Sequence, residues 1–173
     1  IIPSHKKLAH YLGMLTAQLP IESQFKSTLP DNLNAEIVLG TVSNLREAAA
    51  WLSYTYLHTR MTRNPLAYGL TYADLMADPS LESHKRDLII SAAKQLKQAQ
   101  MAVYDEKSGN LYVTELGRVA SHYYIKHTSM VTFAELLKPH MNEAQVLSMV
   151  AQSSEFESMM VREEEMPELD GLG

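Results

Sequence analysis

The chain has 173 residues, 46% of them hydrophobic, a formal net charge of −5 and no cysteine. That apolar content excludes a wholly disordered chain and is enough for one compact domain, or for a small domain with partial neighbours. The absence of cysteine excludes structural disulfides, thiolate nucleophiles and Cys-based zinc sites, and it fits a nuclear or cytosolic setting.

No apolar run approaches the roughly 20 residues needed to cross a bilayer, so no membrane partner is expected. The opening Ile1-Ile2-Pro3-Ser4 carries neither a methionine nor a basic stretch, which predicts no signal peptide and a chain cut from something longer. Residues 5–19 place Leu8, Leu12 and Leu15 at helical spacing, with Pro20 closing the segment. Residues 20–24 then read as an extended linker. Asp31 is the expected N-cap of a short helix through Leu39, and Gly40 its stop. Ser43 or Asn44, with Glu47 following, opens the strongest helix pattern. Leu45, Ala49, Leu52 and Tyr56 form its apolar stripe, Arg60 and Arg63 fill its last turn, and Asn64-Pro65 ends it.

Asp78-Pro79-Ser80 starts another helix, with Leu81, Leu88, Ile89, Ala92, Ala93 and Leu96 as its buried positions. After Gln100 the period changes. Residues 101–104 and 111–113 have strand composition, and the turn residues 107–110 between them predict a β-hairpin. Thr114 caps a helix running to about residue 125, and a further helix spans about 142–150. The acidic tail follows: Glu155, Glu157, Glu163, Glu164, Glu165, Glu168 and Asp170 against Arg162 alone, so the rest of the chain is close to neutral. The order helix, helix, helix, hairpin predicts a mainly α fold: a winged helix, with a three-helix core and a hairpin wing, flanked by helices of neighbouring domains.

Five segments carry a family resemblance: PIESQF at 20–25, LPDNLNAEIVLGTV at 29–42, WLSYTYLHTRMTRNPLAYGL at 51–70, TELGRVASHYYIK at 114–126 and SSEFESMMVREEE at 153–165. In this order they resemble the region after the second RecA lobe of Ski-two-like superfamily 2 helicases. The wording is similar to the large two-cassette members, the cointegrator-complex type before the spliceosomal type. The resemblance implies that residues 1–25 leave the second RecA lobe, 26–113 form the winged helix, and 114–173 open the Sec-type helical bundle. It also implies a parent that couples ATP hydrolysis, with magnesium, to 3′-to-5′ unwinding of RNA or DNA. The implied partners are the RecA lobes and bundle of the same parent chain, a single or unwinding strand, and proteins of a multi-subunit complex.

The chain departs from the enzyme pattern. It has no G-x-x-x-x-G-K-[ST] loop, no DExH-type box and no arginine-containing γ-phosphate motif. Without phosphate donors and magnesium carboxylates, no catalytic residue and no cofactor are expected within it.

Other constellations favour ordinary readings. The histidines at 5, 10, 58, 84, 122, 127 and 140 form no H-x-x-x-H pair, so no metal is expected. No serine sits in a G-x-S-x-G elbow. Glu163, Glu164 and Glu165 are adjacent, so on a helix they diverge rather than converge on an ion. Trp51, Tyr54, Tyr56, Tyr123 and Tyr124 could stack on bases, but their setting favours core and domain-interface roles. Winged-helix logic points nucleic-acid contact to Lys85, Arg86, Lys94 and Lys97 on the third helix and Lys107 at the wing tip. Glu82, Asp87, Asp105 and Glu106 lie among these cations and blunt the stripe. The expected role is therefore a scaffold of a helicase. A stand-alone winged-helix binding module, or part of an inactive cassette, are the alternatives.

Overall fold

The computed structural model describes residues 4–16 and 20–171. A 3₁₀ turn at His5–Lys7 leads into helix α1, Leu8–Leu15. The leucine stripe expected there is helical but exposed, and α1 buries none of its residues. The expected end of that helix, at 17–19, lies outside the described residues.

Helix α2 spans Leu29–Leu39. It starts earlier than the Asp31 cap predicted. Thr28 is the N-cap residue, and Pro30 occupies the first turn, where its missing N–H costs no hydrogen bond. Asp31 therefore sits inside the first turn with its carboxylate free for another partner. Gly40 ends the helix in the left-handed conformation, φ +79°.

The helix read as continuous from 45 to 63 is broken in two. Helix α3 spans Leu45–Ser53 and α4 spans Tyr56–Arg63. Asn44 caps α3 by accepting from the Glu47 N–H at 3.0 Å, and Glu47 accepts from the Ser43 N–H at 2.8 Å. The break follows from the run Ser53-Tyr54-Thr55. The Ser53 hydroxyl donates to the Ala49 carbonyl at 3.1 Å, and the Thr55 hydroxyl donates to that of Leu52 at 2.7 Å. Such side-chain bonds compete with helical continuation. As a result α4 buries Leu57 and Met61, and Tyr56 leaves the Leu45–Ala49–Leu52 stripe for the surface.

A 3₁₀ turn at Pro65–Tyr68 and a short helix α5, Tyr72–Ala77, fill the stretch read only as a break. A reciprocal Thr71–Asp74 capping box supports α5, which is too short to show an apolar period. Helix α6, Glu82–Gln98, is the long central element. It buries Ile89, Ala92, Ala93 and Leu96 as their spacing predicts, while Leu88 is only partly covered. Leu81, just before it, is buried at φ +53°, and Asp78 accepts from the Ser83 N–H at 3.0 Å.

Strands β1, Ala102–Tyr104, and β2, Leu111–Val113, form the antiparallel hairpin, with Ala102 opposite Val113. The wing has a third, one-residue edge that the sequence did not reveal. Asn44 bridges Asn110, the Leu45 N–H donates to the Gly109 carbonyl at 2.9 Å, and the Leu111 N–H donates to that of Ser43 at 2.8 Å. Helices α2, α3 and α6 pack together beneath this wing around Leu33, Leu52, Ile89, Leu96 and Met101. The fold is a mainly α winged helix.

Beyond the wing, Thr114 caps helix α7, Glu115–Tyr123, by accepting from the Gly117 N–H at 3.0 Å. Helix α8, His127–Leu136, was not apparent in the sequence. Helices α9, Glu143–Ala151, and α10, Met166–Asp170, follow it. The face that α7 buries is its smallest, Gly117 and Ala120, rather than Leu116, Val119 or Tyr123. This allows backbone-level approach. A Cβ on Gly117 would lie 2.0 Å from the Met101 carbonyl oxygen and 2.8 Å from Asn34 Oδ1. We expect Gly117→Ala to destabilise the chain by about 3 kcal/mol through overpacking against backbone. A chemical-denaturation midpoint unchanged from the parent chain would refute this.

Candidate functional site

The side-chain hydrogen bonds of longest sequence range lie at the two edges of the winged helix. On the upstream edge, Glu22 lies within the segment, residues 20–24, expected to be an extended linker. Its carboxylate accepts from Arg60 Nη2 at 2.8 Å and Nε at 3.2 Å, from Asn64 Nδ2 at 2.8 Å and from the Tyr68 hydroxyl at 2.7 Å. The same Tyr68 oxygen accepts from the Ser23 N–H at 2.7 Å. The two-pronged guanidinium contact is the strong form of a carboxylate bond. The hydrogen bonds from Arg60, Asn64 and Tyr68 hold the Glu22 carboxyl down at about 2. Alongside, the Tyr56 hydroxyl donates to the Ile21 carbonyl at 2.8 Å, and Phe25 packs on Trp51 with ring centroids 5.8 Å apart. The linker is thus fastened to α3, α4 and the turn after them.

On the downstream edge, α2 supplies the contacts. Asn34, fully buried, donates from Nδ2 to the Gly117 carbonyl at 2.9 Å. Asp31 accepts from the His127 N–H at 2.7 Å, with His127 Nδ1 3.1 Å from the same oxygen. Further along, Glu155 accepts from the Lys126 N–H at 3.0 Å and from the buried Ser129 hydroxyl. The α2 contacts draw α7 and α8 to the winged helix, and Glu155 ties the segment after α9 to the start of α8.

The cations expected to meet phosphate have different surroundings. Lys85 is 2% exposed, and its ammonium lies 2.6 Å from both Ser53 Oγ and Glu82 Oε1. Its position on the buried face of α6 removes it from any backbone-tracking set. Lys97 pairs with Glu106 at 3.1 Å. Lys94 is exposed on α6, two turns beyond Arg86 on the same face. Only Arg86 and Lys107 come together, in an open groove of about 910 Å³ between α3, α6 and the wing. Arg46 joins them there. The sequence reading missed it, because only the Asn44–Asn110 bridge brings the start of α3 to the wing tip. The one available signal was the extended stretch Val42-Ser43-Asn44 between two helices.

The aromatic residues divide as well. Trp51 and Tyr56 serve the upstream edge, as described. Tyr54 and Tyr124 are each 91% exposed, and Tyr123 is exposed with its ring edge-on to His122 at 4.8 Å. Among the histidines, burial pulls the rings of His58 and His84 below the ordinary histidine range, so both pack as neutral side chains.

Residues 22–98 match the winged helix-turn-helix domain family, and residues 113–173 match the Sec63 Brl domain family. Over 172 residues, 99% of this chain, the sequence is 61% identical to the DExH-box ATP-dependent RNA helicase DExH14 of Arabidopsis thaliana. It is 55% identical to the activating signal cointegrator 1 complex subunit 3 of Dictyostelium discoideum. The U5 small nuclear ribonucleoprotein 200 kDa helicase of Drosophila melanogaster is 51% identical over the same length. The chain belongs to the two-cassette Ski-two-like helicase family. It spans 8% of the length of each of these relatives. Within the family's succession of domains, the Asn34–Gly117 contact joins the segment matching the winged helix to the segment matching the Sec63 domain.

Two expectations follow. The Glu22 carboxyl is lowered in the folded chain, so its contribution is fully present above its ordinary value near 4.5 and is lost as pH falls toward about 2. Glu22→Gln should therefore flatten acid unfolding in that window, read by circular dichroism, and an unchanged acid profile would refute the clasp. Lys85→Met should change folding stability while leaving the affinity of the chain for oligouridylate unaltered in anisotropy titrations. A weakened oligouridylate affinity in a folded variant would return Lys85 to the contact set.

Proposed function

We propose that this chain is the non-catalytic joint of an ATP-dependent helicase. In this reading, residues 1–25 leave the second RecA lobe, 26–113 form the winged helix, and 114–173 open the helical bundle beside the nucleic-acid channel. The winged helix braces lobe against bundle while a strand passes through the parent.

The observation that carries the reading is the pair of polar clasps on the upstream and downstream sides of one core. Glu22 with Arg60 and Tyr68 holds the incoming segment, and Asn34 and Asp31 hold α7 and α8. A phosphate-reading surface would instead present its cations to solvent in a row. Here Lys85 is buried and Lys97 is paired. The name of the Arabidopsis relative, an ATP-dependent RNA helicase, supports a parent that acts on RNA, and we propose that its motor runs 3′-to-5′. Its ATP and magnesium belong to other segments of the parent, since no residue set in this chain matches a phosphate loop. We place the parent in the nucleus or cytoplasm, within a multi-subunit complex.

The test uses the full-length parent carrying Asp31→Ala with Asn34→Ala. If the joint transmits motor movement, RNA-stimulated ATP hydrolysis persists while unwinding falls about tenfold, the scale of a coupling loss near 1–2 kcal/mol. Unwinding equal to that of the unaltered parent would sink the brace. RNA-stimulated ATP turnover by the 173-residue chain alone would do the same.

A further inference from the structure

The groove between α3, α6 and the wing has features that the brace does not use. Its floor is apolar, formed by Leu45 and Ala49 of α3 and Ile90 of α6. Its rim carries Arg46, Arg86 and Lys107, all exposed and without an ion-pair partner among the described residues. The two acidic residues that also line it are already committed. Glu82 pairs with the buried Lys85 at 2.6 Å, and Glu106 pairs with Lys97 at 3.1 Å. Asp105, next to the rim, is tied into the turn by the Lys107 N–H at 3.0 Å and the Ser108 hydroxyl at 2.6 Å. Arg46, Arg86 and Lys107 thus exceed the one ionised carboxylate beside them that has no ion-pair partner among the described residues, Asp105, and the rim is net positive around its apolar residues.

We propose that this groove docks an acidic peptide segment of a partner protein, one that carries a bulky apolar side chain between carboxylates. The apolar residue would cover Ala49 and Ile90. Arg46 and Arg86, on the two opposing helices, would take flanking carboxylates through the planar guanidinium fork that suits them. Charge complementarity of this kind fixes register and speeds association. A nucleic acid fits less well. Three cations around an apolar base do not follow a phosphate backbone. The ring that could have stacked on a base, Tyr104, is 5% exposed. This inference goes beyond the brace and does not rest on it, because Asp31 and Asn34 lie outside the groove lining.

The experiment pans a displayed library of short random peptides against the full 173-residue chain, then measures the best binder by fluorescence anisotropy. Enriched sequences should share acidic residues flanking a large apolar one. Arg46→Glu with Arg86→Glu should weaken their binding by about tenfold or more, as loss of charge-assisted pairs does. Lys94→Glu, on α6 but outside the groove, should leave binding unchanged. Both arginines are exposed, so circular dichroism of the double variant should match the unaltered chain. Failure to enrich acidic sequences, or binding indifferent to the double variant, would overturn the proposal. Displacement of the peptide by oligouridylate at comparable concentration would reassign the groove to nucleic acid. Loss of peptide binding as the chain dimerises in sedimentation would assign the groove to a second copy.

Discussion

The architecture turns on one close approach, where α7 lies against the chain entering the wing with no side chain between them. Gly117 is the only residue type that fits there, because any Cβ would overlap the Met101 carbonyl. That proximity lets Asn34, buried in α2, reach the Gly117 carbonyl. A buried amide with a backbone partner is costly to disrupt, since breaking the bond strands polar groups away from water. The contact holds α7 against α2 and the start of the wing, and the Asp31–His127 contact holds the start of α8.

The upstream edge is fixed by a different chemistry. Glu22 is a partly exposed carboxylate surrounded by donors, held ionised by Arg60, Asn64 and Tyr68. One edge thus depends on close packing and the other on charge-assisted bonds. The core between them runs from Leu33 through Ile89 to Met101 and takes in Ala120 of α7 and Met130 of α8. The exposed large apolar residues lie mainly outside it: Leu12 and Leu15 before the core, Leu147, Met160 and Val161 after it. Apolar surface thus remains exposed on both flanks of the core.

The division of the lysines bears on function in the same way. Residues Lys85 and Arg86 are neighbours in sequence but face opposite environments, because adjacent positions on a helix point about 100° apart. One becomes a buried strut under Ser53 and Glu82. The other becomes the rim of a groove. Counting cations on a helix overstates a phosphate surface whenever the helix is central to the core.

The sequence by itself determined the parts with local or repeating causes. The apolar period of α6, the strand composition on either side of 107–110, the Asn44 and Thr114 caps and the glycine stop at Gly40 were all legible. So was the family, from ordered matches along the chain. What only the tertiary structure decided were relations between distant residues. The break at Tyr54-Thr55 is local by contrast, made by hydroxyls that turn back to carbonyls one helical turn away. The third wing edge depended on residues 43–45 meeting 109–111. Glu22, Asp31 and Arg46 look like surface charges when read along the chain. Their roles arise because folding places their partners or neighbours 38, 96 and dozens of positions away, respectively. Periodicity records which face of an element is buried; it carries no record of what that face will meet.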